Sequence, residues 1–213
     1  MIEELVKVFN DEKLVDKIKK RLPYLFQLAE MDSSRAGNVG MEVGSLRERI
    51  IVALLIYKFG NANVQTEIPI TEPEVDVKVF GYPISIKTFT GQRINGVKLI
   101  WTVDAQKARE FQESYSPHSD ILLVQINWNS AGGFFYLPLE VQQDIFDKIG
   151  RKEYIKLPKE GTNPRGVEVT KEALSMIVNS ELSKRIIINW EKREITYNPY
   201  KRWIDYWERD IIL

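Results

Sequence analysis

The sequence predicts an α/β fold: a mixed β-sheet flanked by helices, with additional helices at the N- and C-termini. Three observations lead there. Apolar residues recur at helical spacing near the start, and a capping box at Ser45–Glu48 followed by the apolar run Ile50–Tyr57 marks a further helix. Short β-rich runs separated by Pro, Glu and Gly follow over 64–90. Strand-like runs and helical segments then take turns to the end.

Over 2–29, Leu5, Val8, Phe9, Leu14, Val15 and Ile18 fall at helical spacing with charges between them, which predicts one or two helices. Residues 31–45 hold three glycines and several small polar residues and read as a loop. Ser45-Leu-Arg-Glu48 matches a capping box, so a helix is expected from there to about Phe59, with Gly60 past its end. Val64–Ile70, Val75–Phe80 and Ile84–Thr90 read as strands. A helix capped by Thr102 or Asp104 should run to about Tyr115. The apolar run Ile121–Trp128 suits an interior strand, with Gly133–Leu139 as its successor. A helix follows at about 140–149, a turn-rich stretch at 156–166, a helix opened by Thr170, and a strand at Ile186–Trp190.

The 213 residues, 44% hydrophobic and 28% charged, suffice for a buried core and exclude a disordered or fibrous chain. No apolar run approaches the roughly 18 residues of a membrane span, and Met-Ile-Glu-Glu has no secretory n-region. The expected location is cytoplasmic. Zero cysteines remove disulfides, thiolate zinc sites and cysteine nucleophiles together. Thirty basic residues balance thirty acidic ones, against a simple polyanion-coating protein. Local basic clusters remain: Lys184-Arg185, Lys192-Arg193, Lys201-Arg202, and the series Arg93, Lys98, Lys107, Arg109.

The informative segment is Glu72-Pro-Glu-Val-Asp-Val-Lys-Val-Phe-Gly-Tyr-Pro-Ile-Ser-Ile-Lys-Thr88. Alternate residues of a strand share a face. Val75, Val77 and Val79 therefore form one apolar row, and Ile84 and Ile86 another. If both rows meet one core, odd positions of the first strand lie beside even positions of the second. The other face then brings Asp76 and Lys78 beside Ser85 and Lys87. A cross-strand ion pair on the surface would look the same. A half-buried carboxylate, in contrast, needs a partner, and a metal ion is a good one.

Asp76 followed by Ser85-Ile86-Lys87 resembles the PD-(D/E)XK nuclease superfamily, which includes many type II restriction endonucleases. The resemblance implies a restriction-endonuclease-like core and a metal-dependent endonuclease hydrolysing DNA phosphodiester bonds. It implies Mg2+ held by Asp76 and the Ile86 carbonyl, with Lys87 orienting or deprotonating water and offsetting phosphate charge. The departure is Ser85, where the family usually has an acid. Glu48, on the preceding helix, matches a second acid in order and spacing, but it is also the capping-box residue, and both readings stay open. Glu42 and Glu74 are further candidates. The expected organisation is a single nuclease domain over 1–213, with a catalytic core at about 45–140, an N-terminal helical part at 1–44 and a C-terminal part at 141–213.

A type II restriction enzyme, part of a restriction-modification pair, would act on double-stranded DNA at a short palindromic site such as CGCG, as a homodimer matching the two-fold symmetry. Three loops offer base readers: Arg35, Asn38 and Met41; Gln92, Arg93, Asn95 and Lys98; and Asn163 and Arg165. Each could equally be a plain connection. Met41 could wedge between base pairs or pack beneath its own loop. The lone His118 reads as a surface residue. Trp190, Trp203 and Trp207 suit core or dimer packing better than base stacking. The alternatives are a structure-specific repair or recombination nuclease, and a non-catalytic DNA-binding domain of the same fold.

Overall fold

The computed structural model describes residues 2–35, 38–40, 42–69, 71–72, 74–102, 104–158 and 166–209, with Arg35 and Asn38 described by their backbone alone. Helices α1 (Glu3–Asn10) and α2 (Glu12–Ser33) open the chain. Asp11 separates them and caps α2, its Oδ1 accepting from Leu14 N at 3.1 Å. The region expected as a loop contains regular structure. The Ser34 hydroxyl donates to Glu30 O at 2.6 Å, closing α2. Strands β1 (Ser34–Arg35) and β2 (Asn38–Val39) then pair antiparallel.

Helix α3 (Val43–Phe59) begins two residues before the expected cap. Val43 N already donates to Gly40 O at 3.3 Å and Leu46 N to Glu42 O at 3.2 Å. The chain is therefore wound before Ser45, and Ser45 and Glu48 lie inside the helix. No side chain caps its start, which removes the capping-box role of Glu48. Its end is as expected: Gly60 takes φ 82°, a conformation that favours glycine.

A 3-10 turn (Asn61–Asn63) leads to β3 (Val64–Gln65), β4 (Val77–Val79), β5 (Tyr82–Thr90) and β6 (Val97–Ile100). The expected strand Val64–Ile70 is thus cut to two residues. Beyond it the backbone turns instead of pairing, with Glu72 N donating to Pro69 O at 2.9 Å and Val75 N to Glu72 O at 3.1 Å. Helix α4 (Ala105–Ser114), capped by Asp104, crosses over to β7 (Asp120–Ile126) and β8 (Ser130–Leu137). Then come α5 (Leu139–Ile149), α6 (Arg151–Tyr154), β9 (Ile155–Lys156), β10 (Val167–Val169), α7 (Lys171–Val178), β11 (Lys184–Trp190) and α8 (Lys201–Glu208).

The main sheet has the order β11-β8-β7-β5-β4-β3; β5 and β7 run parallel and the other pairs antiparallel. It is mixed, as expected. Both faces are covered. Leu122, Val124 and Ile126 of β7 join the core under α1, α2 and α3, while Ile121 and Leu123 join the core under α4 to α7. Each such side chain contributes about 1.5–3 kcal/mol on burial.

A second sheet, β6-β10-β9, was not expected from the sequence. Its strands are two to four residues long, too short for periodicity to register, although Val97 and Leu99 do alternate inward past Lys98 and Ile100. Gly96 lets β6 approach β10; a Cβ there would lie 2.5 Å from Val169 O. This sheet forms the far wall of the cleft described next.

Candidate active site

Strands β4 and β5 are joined by Phe80 and Gly81, both with positive φ (50° and 82°), the two-residue turn that matches the twist of paired strands. Phe80 is held there edge-on to Phe59, ring centroids 5.4 Å apart. The turn sets the register Val77↔Ile84 and Val79↔Tyr82, odd beside even as the apolar rows require. Val77, Val79, Ile84 and Ile86 are fully buried on the α3 side.

That register brings Asp76 to Ser85 and Lys87. Asp76 N donates to Ile84 O at 2.9 Å. Its Oδ2 accepts from Ile86 N at 2.5 Å, from Ser85 Oγ at 3.3 Å and from Lys87 Nζ at 3.5 Å. Oδ1 takes no hydrogen bond from the described residues. The Asp76 and Lys87 side chains are 24% and 16% exposed, so this is not a solvated surface pair. Ser85, buried at 3% exposure, supports the carboxylate instead of presenting a ligand of its own.

Glu48 approaches from α3. Burial pushes its carboxyl up to about 7, the negative charge of Asp76 adds to the rise, and Lys87 opposes it. Two carboxylates and a lysine thus meet from three elements. Glu48, Asp76, Ile86 and Lys87 line one open cleft of about 680 Å³, together with Lys98 of β6 and Trp101 just past its end. Among the described residues no group of three His, Cys, Asp or Glu side chains is arranged for a metal. The groups that could hold a cation are the Glu48 and Asp76 carboxylates, with the Ile86 carbonyl that the resemblance implies, all hard oxygens. Hard oxygen donors of this kind would suit a divalent cation.

The family model of restriction endonuclease ThaI matches residues 8–209. The chain belongs to the ThaI restriction endonuclease family. It is also similar to a solved structure described as a restriction endonuclease in complex with substrate DNA, at 62% identity and a TM-score of 0.90, covering 95% of this chain and 98% of that one. Comparison with curated proteins gives no match.

The other residues singled out in this ThaI-family chain divide by position. Of the alternative acids, Glu42 precedes α3 and does not line the cleft. Glu74 is buried and does not line the cleft; burial pushes it up to about 7, against the pull of His118 and Lys87. Gln92, Arg93 and Asn95 are exposed. The carbonyls of Gly91 and Gln92 accept from Gln125 Nε2, both at 3.1 Å, which ties their loop to β7. Lys98 lines the cleft, its Nζ 3.4 Å from the centre of the Trp101 ring.

Met41, Asn163 and Arg165 lie outside the described residues, and Arg35 and Asn38 are placed by their backbone in the β1–β2 hairpin. His118 is exposed, as expected. Trp190 is core, packed on Phe26 and Trp128. Trp203 and Trp207 are exposed on α8, so core packing is wrong for them: an eight-residue helix at the chain end buries none of its side chains. Trp101, 68% exposed in the cleft, escaped the sequence reading because a lone tryptophan beside Thr102 carries no pattern.

Proposed function

We propose that the cleft hydrolyses DNA phosphodiester bonds with Mg2+, held by Asp76, Glu48 and the carbonyl of Ile86. The observation that carries this is the convergence of Glu48 on the Asp76–Lys87 pair. Ile86 N and Ser85 hold Asp76 in one orientation and leave Oδ1 for the cation. Lys87, restrained beside Asp76, keeps a positive charge at the scissile phosphate and orients the attacking water. Magnesium, when bound, supplies Lewis-acid stabilisation of the charge that develops on the phosphoryl oxygens.

The chain acts as one nuclease unit over 1–213, in the cytoplasm, and as a homodimer that matches a short palindrome, with CGCG the first site to test. Gln92, Arg93, Asn95, Lys98, Arg35, Asn38, Met41, Asn163 and Arg165 are the candidate DNA contacts. Incubation of the purified protein with plasmid, with and without Mg2+, tests this reading. Discrete fragments that map to one palindrome are expected only with the metal. A smear would indicate a structure-specific or nonspecific nuclease, and DNA left uncut would indicate a binding module and overturn the proposal.

A further inference from the structure

Behind the cleft lies a buried charge cluster that the hydrolytic chemistry does not use. Glu30, in the last turns of α2, and Arg47, in the second turn of α3, form an ion pair at 2.5 Å with both side chains 8% exposed. Glu30 Oε1 also accepts from Trp128 Nε1 at 2.8 Å, and Oε2 faces Lys192 at 3.7 Å. Arg47 reaches toward β5, its Nη1 3.4 Å from Thr90 Oγ1. The cluster therefore joins α2, α3, the end of the strand that carries Ile86 and Lys87, the turn after β7 and the C-terminal segment.

Two observations argue that this pair positions Glu48 and does more than hold the fold together. First, a buried ion pair is a poor source of stability, since desolvating two charges offsets most of their attraction. This one also leaves Arg47 Nε buried with no hydrogen-bond partner among the described residues. Second, α3 has no side-chain cap at its start. The first turns of a helix without a cap need another anchor, and Arg47 provides it one residue before Glu48. The same guanidinium touches Glu30 on one side and the catalytic strand on the other.

We infer that the Arg47–Glu30 pair is a positioning device that sets Glu48 against Asp76 and Lys87, and through Glu48 tunes the affinity of the cleft for its divalent cation. This rests on the reading of the cleft as the cation site. Arg47→Lys keeps the charge but cannot span Glu30 and Thr90 together; Glu30→Gln keeps the shape and loses the charge. The control is Lys58→Met, which breaks the 2.7 Å pair with Asp11 at the other end of α3.

The readouts are the half-saturating calcium concentration, taken from the calcium-induced rise in Tm of the protein without DNA, and the half-saturating magnesium concentration for cleavage. Arg47→Lys and Glu30→Gln should raise both by about tenfold to a hundredfold, the range expected for a group that orients a ligand. Lys58→Met should lower Tm in EDTA and leave both unchanged. An unchanged cation dependence in the two cluster variants, or an equal shift in Lys58→Met, overturns the positioning role. Asp76→Asn separates the two readings. If it leaves calcium saturation unaltered, the cleft is not the cation site and both fall. If it abolishes saturation while Arg47→Lys changes nothing, only the positioning role falls.

Discussion

Ser85 Oγ donates to Asp76 Oδ2 at 3.3 Å from a position that is almost wholly buried. Where the PD-(D/E)XK pattern has a second acid, this chain therefore has a group that orients the first. In the proposed reading, the acid it lacks there is supplied from α3 by Glu48, which lines the same cleft. A carboxylate at 85 would sit beside Asp76 with little water to screen the two charges. Ser85→Ala should slow cleavage by about tenfold, the loss of one hydrogen bond worth ~1.4 kcal/mol. Ser85→Glu should be worse than Ser85→Ala, because it removes the hydroxyl donor and sets a second carboxylate against Asp76 in a position with little water to screen it. Single-turnover rates on an oligoduplex compare the two.

Asp76→Ala and Lys87→Ala should each abolish detectable cutting, while DNA binding in calcium, measured by gel shift, stays within a few-fold for Lys87→Ala. Both side chains are at the centre of the cleft and neither lies in the apolar core, so the variants should fold. Cleavage retained by either one would remove the assignment.

Glu48 supplies a pH test. Its folded carboxyl titrates at about 7, above its ordinary value of 4.5, mainly through burial. Between those values the folded protein binds more protons than the unfolded chain, so stability falls as pH rises through that window. Glu74, also pushed up to about 7 by burial, acts in the same direction. Without metal, wild-type Tm should decline from pH 5 to pH 8, and Glu48→Gln should decline less. Mg2+ should restore more stability at pH 8 than at pH 6 in the wild type and little in Glu48→Gln, which should also cleave very poorly. Melts in EDTA and in Mg2+ at the two pH values check this.

Lys98 and Trp101 form a cation–π pair on the cleft wall facing the catalytic hairpin. Lys98→Ala should weaken DNA binding at all sequences and reduce the slope of log K against log salt by about one, as expected for a lost phosphate contact. Trp101→Ala should weaken binding with a smaller change in salt slope, since it removes the platform and keeps the charge. Fluorescence-anisotropy titrations at several salt concentrations separate the two.

What the sequence determined by itself was local and periodic. The alternation of Val75, Val77 and Val79 with Ile84 and Ile86 predicted the register, and with it the meeting of Asp76 and Lys87, because a period of two allows one pairing that buries both rows. The continuous apolar run at 121–128, which is buried on both faces, and Gly60, which ends α3 at a positive φ, were legible as local signals of other kinds. What only the tertiary structure decided were the features with no period of their own. The start of α3 is set by the turn from Gly40, which took Glu48 out of the capping role, and only the packing of α3 on the sheet brought it to the cleft of Asp76. The strands of the second sheet are too short to carry a pattern, so the cleft wall with Lys98 and Trp101 depended on chain packing. The Glu30–Arg47 pair joins residues 17 positions apart, and nothing local in the sequence relates them. Side-chain spacing encodes contacts within a hairpin; contacts between elements depend on how the two cores close around the sheet.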